Sequence, residues 1–280
     1  MKASLIIYIK SDVVTLPLLF SALKQQTEKD FEVIFAQDGC DKKIGNLINE
    51  LKEEVPFQVK HLSYNQDCYK REALLNRAIV ESESDYLIFM EEGTIPHHKF
   101  VAEHLRLSRY GRVVAARKIT LTKDLSSEIT EQLISSRKIQ SYLQKRLLSQ
   151  AIKGKAKNIS EVFRLTNGFL RHFILNDVWQ GLSSDNFSIY KEDIVSVNGF
   201  DERFDVKSEE SDFDLELRLM QQGVFTKEER RIATLYNVGK EQTLLTSPIA
   251  SAILTESSDK NLSWTPFGIK KEESPKDKEE

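Results

Sequence analysis

An α/β fold, with a mostly parallel sheet and helices on both faces, is predicted by two features of the sequence. Short apolar runs of strand length alternate with amphipathic stretches at helical spacing through about residue 105, and the short intervals between them imply right-handed crossovers. The clearest run, Tyr86-Leu87-Ile88-Phe89-Met90, is too short for a typical helix and reads as a strand buried on both faces. It ends abruptly in Glu91-Glu92-Gly93-Thr94-Ile95-Pro96. In open α/β sheets ligands bind beyond the carboxyl ends of strands. These two acids therefore mark either a ligand site or a solvated turn.

In chain order, Ser4–Lys10 reads as the first strand. Val14–Gln26 is a helix with Leu16, Leu19 and Leu23 at helical spacing. Phe31–Ala36 is the second strand and runs into Gln37-Asp38-Gly39. Lys43–Glu53 is a helix with Ile44, Leu47, Ile48 and Leu51 on one face, Phe57–Leu62 a third strand, and Tyr69–Val80 a third helix leading to Tyr86–Met90. Arg112–Thr120 reads as a further strand. Asp124 offers an N-cap for one long helix over Leu125–Ile152, with an apolar stripe of Leu125, Ile129, Leu133, Ile139, Leu143 and Leu147. Asn186–Tyr190 is a short strand, Asn198-Gly199-Phe200-Asp201 a turn, Glu209–Gln222 an amphipathic helix and Arg231–Asn237 a late strand. Acids crowd the start of the Glu209 helix, where they suit the positive end of its dipole. The composition implies one domain over 1–255, a basic helical insertion at about 121–180, and a charged, disordered tail over 256–280.

The net charge of −3 hides an asymmetry. Between Arg106 and Arg171 there are fifteen Lys/Arg against four Asp/Glu, so this segment carries +11 and the remainder −14. Such a segment is either a solvated helical face or a contact for an anionic partner: a phosphate-bearing substrate, a membrane surface or nucleic acid. No nucleic-acid-binding module is recognisable. No run of about 18 apolar residues is present, so no membrane span is expected. Without a signal-peptide pattern, and with Cys40 and Cys68 as the only cysteines, the expected compartment is the cytoplasm. The turn after the first strand, Lys10-Ser11-Asp12-Val13-Val14, lacks the glycines of a dinucleotide-binding sheet, and no P-loop exists.

Several separated segments together resemble the inverting glycosyltransferases of the family 2 type, which have the GT-A fold. They are the opening strand, Phe31-Glu32-Val33-Ile34-Phe35-Ala36-Gln37-Asp38-Gly39, the helix Tyr69–Ile79, Asp85–Pro96, Asn186–Ser188, Asn198–Asp201 and Asp212-Phe213-Asp214-Leu215. The resemblance spans roughly residues 4–105 and 180–238. It implies a nucleotide-sugar donor, most simply a UDP-sugar, and a glycan or lipid-linked acceptor in cell-surface polysaccharide synthesis. Asp38 matches the acid that reads the base, Glu91 and Glu92 fall on the Asp-x-Asp segment at the donor, and Asp212 matches the general base. Lys70 and Arg71 are candidates to face the diphosphate.

The sequence also departs from that pattern. Gly93 stands where the second acid of Asp-x-Asp would bind a divalent metal, Mn or Mg. The Glu-Asp pair becomes Ser211-Asp212, and Asn237 stands where relatives carry a late histidine. No metal ligand is assigned on these grounds, and a catalytically inactive GT-A-fold binding module is the rival reading. His97 and His98 are expected at a helix start on the surface, His104 and His172 as ordinary helix residues. Trp179 is either core or a platform for a sugar.

Overall fold

The structure is a computed structural model and describes residues 1–39, 41–64, 71–116, 118–152, 181–229, 232–239, 245 and 247–271. The expectations for Lys70, Cys40, Cys68, Phe163–Leu175, His172, Trp179 and the last nine residues fall outside that set.

The first half alternates strand and helix: β1 (Ala3–Ile9), α1 (Leu16–Lys24), β2 (Phe31–Asp38), α2 (Lys42–Lys52), β3 (Val59–Tyr64), α3 (Arg71–Glu81) and β4 (Tyr86–Glu91). Next come β5 (Thr94–Pro96), α4 (Phe100–Leu107), β6 (Arg112–Ala116), β7 (Lys118–Thr120), α5 (Lys123–Ser127), α6 (Glu131–Ser135) and α7 (Ile139–Ile152). The last described part holds β8 (Asn186–Tyr190), α8 (Lys191–Ser196), α9 (Glu209–Gln221), β9 (Phe225–Glu229), β10 (Leu235–Asn237) and α10 (Pro248–Asp259).

Seven strands form the central sheet in the order β3-β2-β1-β4-β8-β6-β9, and β5-β10-β7 form a smaller one. All pairs from β3 to β4 are parallel, whereas β8 runs antiparallel to both β4 and β6. Strands β1, β2 and β4 are buried along their whole length, as parallel strands covered on both faces must be. Alternate residues serve the two faces. Leu5, Ile7 and Ile9 pack under α1, α2 and α4, while Ile6 and Tyr8 pack under α3 and α9.

Four expectations need correction. The strand read over Arg112–Thr120 is two strands, because Val113–Ala116 is buried in the central sheet while Ile119 packs with Ile95 and Tyr236 in a separate cluster. The long helix over Leu125–Ile152 is three. Thr122, rather than Asp124, caps α5 by accepting from the Leu125 amide; the run is then divided at Thr130, which caps α6 by accepting from the Leu133 amide, and at Arg137, whose φ is +56°. Of its apolar stripe, Leu125, Ile129, Ile139 and Leu143 are buried together, joined by Ile134, while Leu133 packs only partly against them and the Leu147 side chain lies outside the described set. Strand β9 was not foreseen, because Phe-Thr-Lys-Glu-Glu is polar and lies at a sheet edge.

The fourth correction concerns the tail. Helix α10 runs through Glu256, and the chain to Lys271 is fastened to the body by polar side chains as well as by Ile269, which packs against the core. Asn198 donates to the carbonyls of Thr265 and Lys270 at 2.7 and 2.8 Å and accepts from the Lys270 amide. Asp201 accepts from the Thr265 hydroxyl at 2.6 Å, and Ser257 bonds Asp214. Charged composition therefore concealed an ordered segment whose partners lie far away in sequence.

Glycine 93 is required by geometry. Its φ is +74°, and a Cβ there would lie 3.1 Å from both Asp12 Oδ2 and the Gly239 Cα. Its carbonyl accepts the amides of Val238 and Gly239, closing the β4–β5 turn on the end of β10. Backbone strain of this kind costs on the order of 1–3 kcal/mol. Gly93→Ala is expected to lower unfolding stability by about that amount, read from the midpoint of a urea titration; an unchanged midpoint contradicts the assignment.

Candidate active site

Strands β1, β2 and β4 end on one edge of the sheet, and there the expected residues converge. Asp38 closes β2 and is 3% exposed. The Tyr8 hydroxyl donates to its Oδ2 at 2.7 Å. The register pairs Tyr8 with Glu91, so the ends of β2, β1 and β4 stand side by side. Because β8 is antiparallel to β4, its first residues return to the same edge and place Asp185 next to Glu91. The N-termini of α3 and α9 complete the wall with Arg71 and Asp212.

These groups form a chain of alternating charge. Arg71, 1% exposed, donates to Glu91 at 2.9 Å, to Glu72 at 3.2 Å and to the Ser184 hydroxyl, with its guanidinium 5.4 Å from the centre of the Tyr8 ring. Lys207 donates to the other oxygen of Glu91 and, at 2.8 Å, to Asp185. Lys118 donates to the second oxygen of Asp185. Burial and the neighbouring Asp185 push the Glu91 carboxyl up, opposed by Lys207 and Arg71. At Asp185 burial is outweighed by Lys207 and Lys118, which hold the carboxyl well below its ordinary range. Burial works against the charge on Lys207, but Glu91 and Asp185 raise its pKa overall.

Asp212 sits just inside the start of α9, whose first turn is capped by the Ser208 hydroxyl. One carboxylate oxygen accepts from the Ser184 amide at 3.1 Å. The other, Oδ1, is buried and takes no hydrogen bond from the described residues. Burial raises its pKa, partly offset by Arg71 and Ser184. The other acids of that helix are employed elsewhere. Asp214 is fully buried against Arg218 and Ser257, and Glu210 faces Ser251.

Three expectations change here. Glu92, expected beside the donor, accepts the amides of Lys10, Ser11 and Asp12 on one oxygen, each at 2.8 Å. It holds the β1–α1 loop, as its opposite orientation to Glu91 on the strand end requires. His97 is buried rather than at the surface, its ring centre 4.0 Å from that of His98 with the planes tilted by 43°, and α4 starts later, at Phe100. Histidine 104 is more than an ordinary helix residue. It is buried between Ser188 and Asn186, and burial lowers its pKa to about 3, so it is neutral. The Asn186–Ser188 motif is thus a core hydrogen-bond network.

Sequence reasoning missed Tyr8, Glu72, Lys118, Ser184, Asp185 and Lys207. Asp185 carried a weak signal in preceding the Asn-x-Ser strand. The two lysines carried none, since a lone lysine near a strand or before a helix is ordinary.

A divalent metal at this edge is tested by the donor set. Glu91 and Asp185 already share the Lys207 ammonium, Gly93 supplies no side chain, and among the described residues no group of three or more His, Cys, Asp or Glu could hold an ion. The residues present do not fit the metal.

No family model and no curated protein matches the sequence. Solved structures do match its fold. A mannosyltransferase from Pyrobaculum calidifontis in complex with GDP-Man and Mn2+ superposes with a TM-score of 0.57 at 9% identity, covering 86% of this chain and 58% of that one. S. aureus TarS 1–349 in complex with UDP gives 0.54 at 12% identity, over 90% and 63% of the two chains. Its complex with UDP-GlcNAc gives 0.50 at 13%, over 87% and 60%. The chain spans less than two thirds of the length of each of these structures. The likeness is one of fold: the chain has the GT-A fold of these glycosyltransferases, with a mostly parallel central sheet. Among its described residues no helix is long and apolar enough to cross a membrane.

Burial pushes Glu72 up to about 7, against the pull of Arg71 and Ser211. The folded state therefore keeps a proton that the unfolded chain releases near 4.5. Stability is expected to fall as pH rises from about 4.5 to 7, by up to about 1.4 kcal/mol per pH unit, and to level above that range. Glu72→Gln should flatten this slope in urea titrations across pH; an identical slope would show that Glu72 is ionised in the folded protein.

Proposed function

We propose that the protein transfers a sugar from a nucleotide-diphosphate-sugar donor to an acceptor hydroxyl with inversion. The observation that carries this reading is Asp212. One of its oxygens is anchored by Ser184, the other is buried with no hydrogen-bond partner among the described residues, and its pKa is raised. A carboxylate so placed is oriented and basic enough to take the acceptor proton as the hydroxyl attacks the anomeric carbon. Asp38, with one oxygen held by Tyr8, reads the base. Lys207 and Lys118 meet the charge of the departing diphosphate, with Lys70 a further candidate, while Arg71 positions Glu91. The solved neighbours in complex with GDP-Man, UDP and UDP-GlcNAc support a nucleotide sugar as donor, a UDP-sugar being the first to test. The acceptor is a glycan or lipid-linked saccharide, and the basic segment between Arg106 and Arg171 suits an anionic membrane surface on the cytoplasmic side.

A second reading, a GT-A-fold binding module without catalysis, is favoured by the closure of Glu91 on Arg71 and Lys207. Incubation with a panel of nucleotide sugars and analysis of released nucleotide decides between them. Binding without turnover supports the module; no binding of any donor refutes both.

Asp212→Asn should leave donor affinity intact and slow transfer by about 10²–10⁴. In the parent the acidic limb of kcat/KM should lie above the ordinary carboxylate range, and in the variant it should vanish. Equal turnover would place the base elsewhere. Asp38→Ala should weaken nucleotide binding by on the order of 1–3 kcal/mol, measured by calorimetry; unchanged affinity removes Asp38 from the base site.

A further inference from the structure

We infer that the Lys207 ammonium takes the place of a divalent cation at this site, so that the donor diphosphate is bound without metal. The inference rests on the donor reading above and deepens it. Glu91 and Asp185 lie opposite each other at the ends of the adjacent strands β4 and β8, and so offer oxygens to one central cation. That cation is already part of the chain. Lys207 bridges the two carboxylates from the residue before the Ser208 cap of α9. An ammonium and a metal ion cannot share this position. Metal–oxygen distances of about 2.0–2.6 Å would put the ion almost on the nitrogen, and two cations would repel there.

The surroundings point the same way. The turn after β4 cannot supply a further carboxylate, because Gly93 has a positive φ and lies against Gly239, and Glu92 is turned toward the amides of the β1–α1 loop. The Lys207 side chain is 12% exposed and Lys118, on the far side of Asp185, is 24% exposed, so both lie near the open edge. Together they carry the two positive charges of one divalent ion. The alternation Arg71, Glu91, Lys207, Asp185, Lys118 leaves an excess of one positive charge among those five groups. A preorganised ammonium of this kind stabilises a developing anion without any ion being recruited.

The test has two readouts on the full chain. Manganese is titrated into protein alone and followed by electron paramagnetic resonance. UDP and GDP are then titrated calorimetrically, once with EDTA and once with excess manganese. The parent should bind no manganese, and should bind one of the nucleotides equally well under both conditions. Lys207→Met should lose at least about tenfold in nucleotide affinity in EDTA and recover part of it with manganese, as Glu91 and Asp185 become free to hold the ion. Lys207→Arg, which keeps the charge, should retain metal-independent binding, and it serves if the methionine variant does not fold by circular dichroism. Manganese binding by the parent alone overturns the inference. So does parental nucleotide affinity that rises with manganese, which would make Lys207 a side chain that yields to the metal. Undiminished affinity of folded Lys207→Met in EDTA also overturns it. Failure of the folded parent to bind UDP or GDP under either condition instead overturns the donor reading, while the manganese titration still decides what occupies the position between Glu91 and Asp185.

Discussion

The buried run of ion pairs from Arg71 to Lys118 is the interaction on which the working edge of the sheet depends. It joins the start of α3, the end of β4, the residue before β8, the residue before the Ser208 cap of α9 and the start of β7. Arg71, Glu91, Lys207 and Asp185 each lie between two opposite charges, which is the condition under which charges tolerate burial, and Lys118 closes the run nearer the solvent. Removing one member strands its neighbours, at a cost of about 3–5 kcal/mol for a buried pair. Apolar packing sets the sheet and its covering helices. The relative placement of the strand ends is electrostatic.

The placement of Asp212 follows from the same run through a single residue. Ser184 receives Arg71 on its hydroxyl and gives its amide to Asp212. Glu72 is tied to Arg71 and to Ser211 one residue before Asp212. The start of α3, the end of β4 and the helix that bears Asp212 are thus mechanically one unit, although Arg71 and Glu91 precede Asp212 by more than a hundred residues.

Much of the fold was legible because its strands are apolar and short and its first helices are cleanly amphipathic. Patterns of burial write themselves into sequence. Asp38, Glu91 and Asp212 were legible as acids at strand and helix ends, and the structure gathers them at one edge. What remained hidden was pairing. Nothing in the local sequence around Lys207 or Asp185 announces a partner on another element, and Glu92 looks as available as Glu91 until the loop amides close on it. The helix breaks at Thr130 and Arg137 were hidden for a related reason, since a hydrophobic stripe continues across them and only a capping hydroxyl and one positive φ mark them. The segment after Glu256 was misread because its attachment is by hydrogen bonds to Asn198 and Asp201, which composition does not register.

That attachment has a consequence for biosynthesis. Asn198 waits for Thr265 and Lys270, which follow it by 67 and 72 residues, and Asp214 waits for Ser257, 43 residues on. Strands β1 to β4 pair within the first third of the chain and can assemble as they leave the ribosome. The seat of α9 is completed only when nearly all the described residues have been synthesised. A nascent chain therefore possesses its parallel half long before it possesses the full seat of α9, and a ribosome stalled in the last stretch releases a chain in which α9 rests on the sheet but lacks the Ser257 hydroxyl on Asp214.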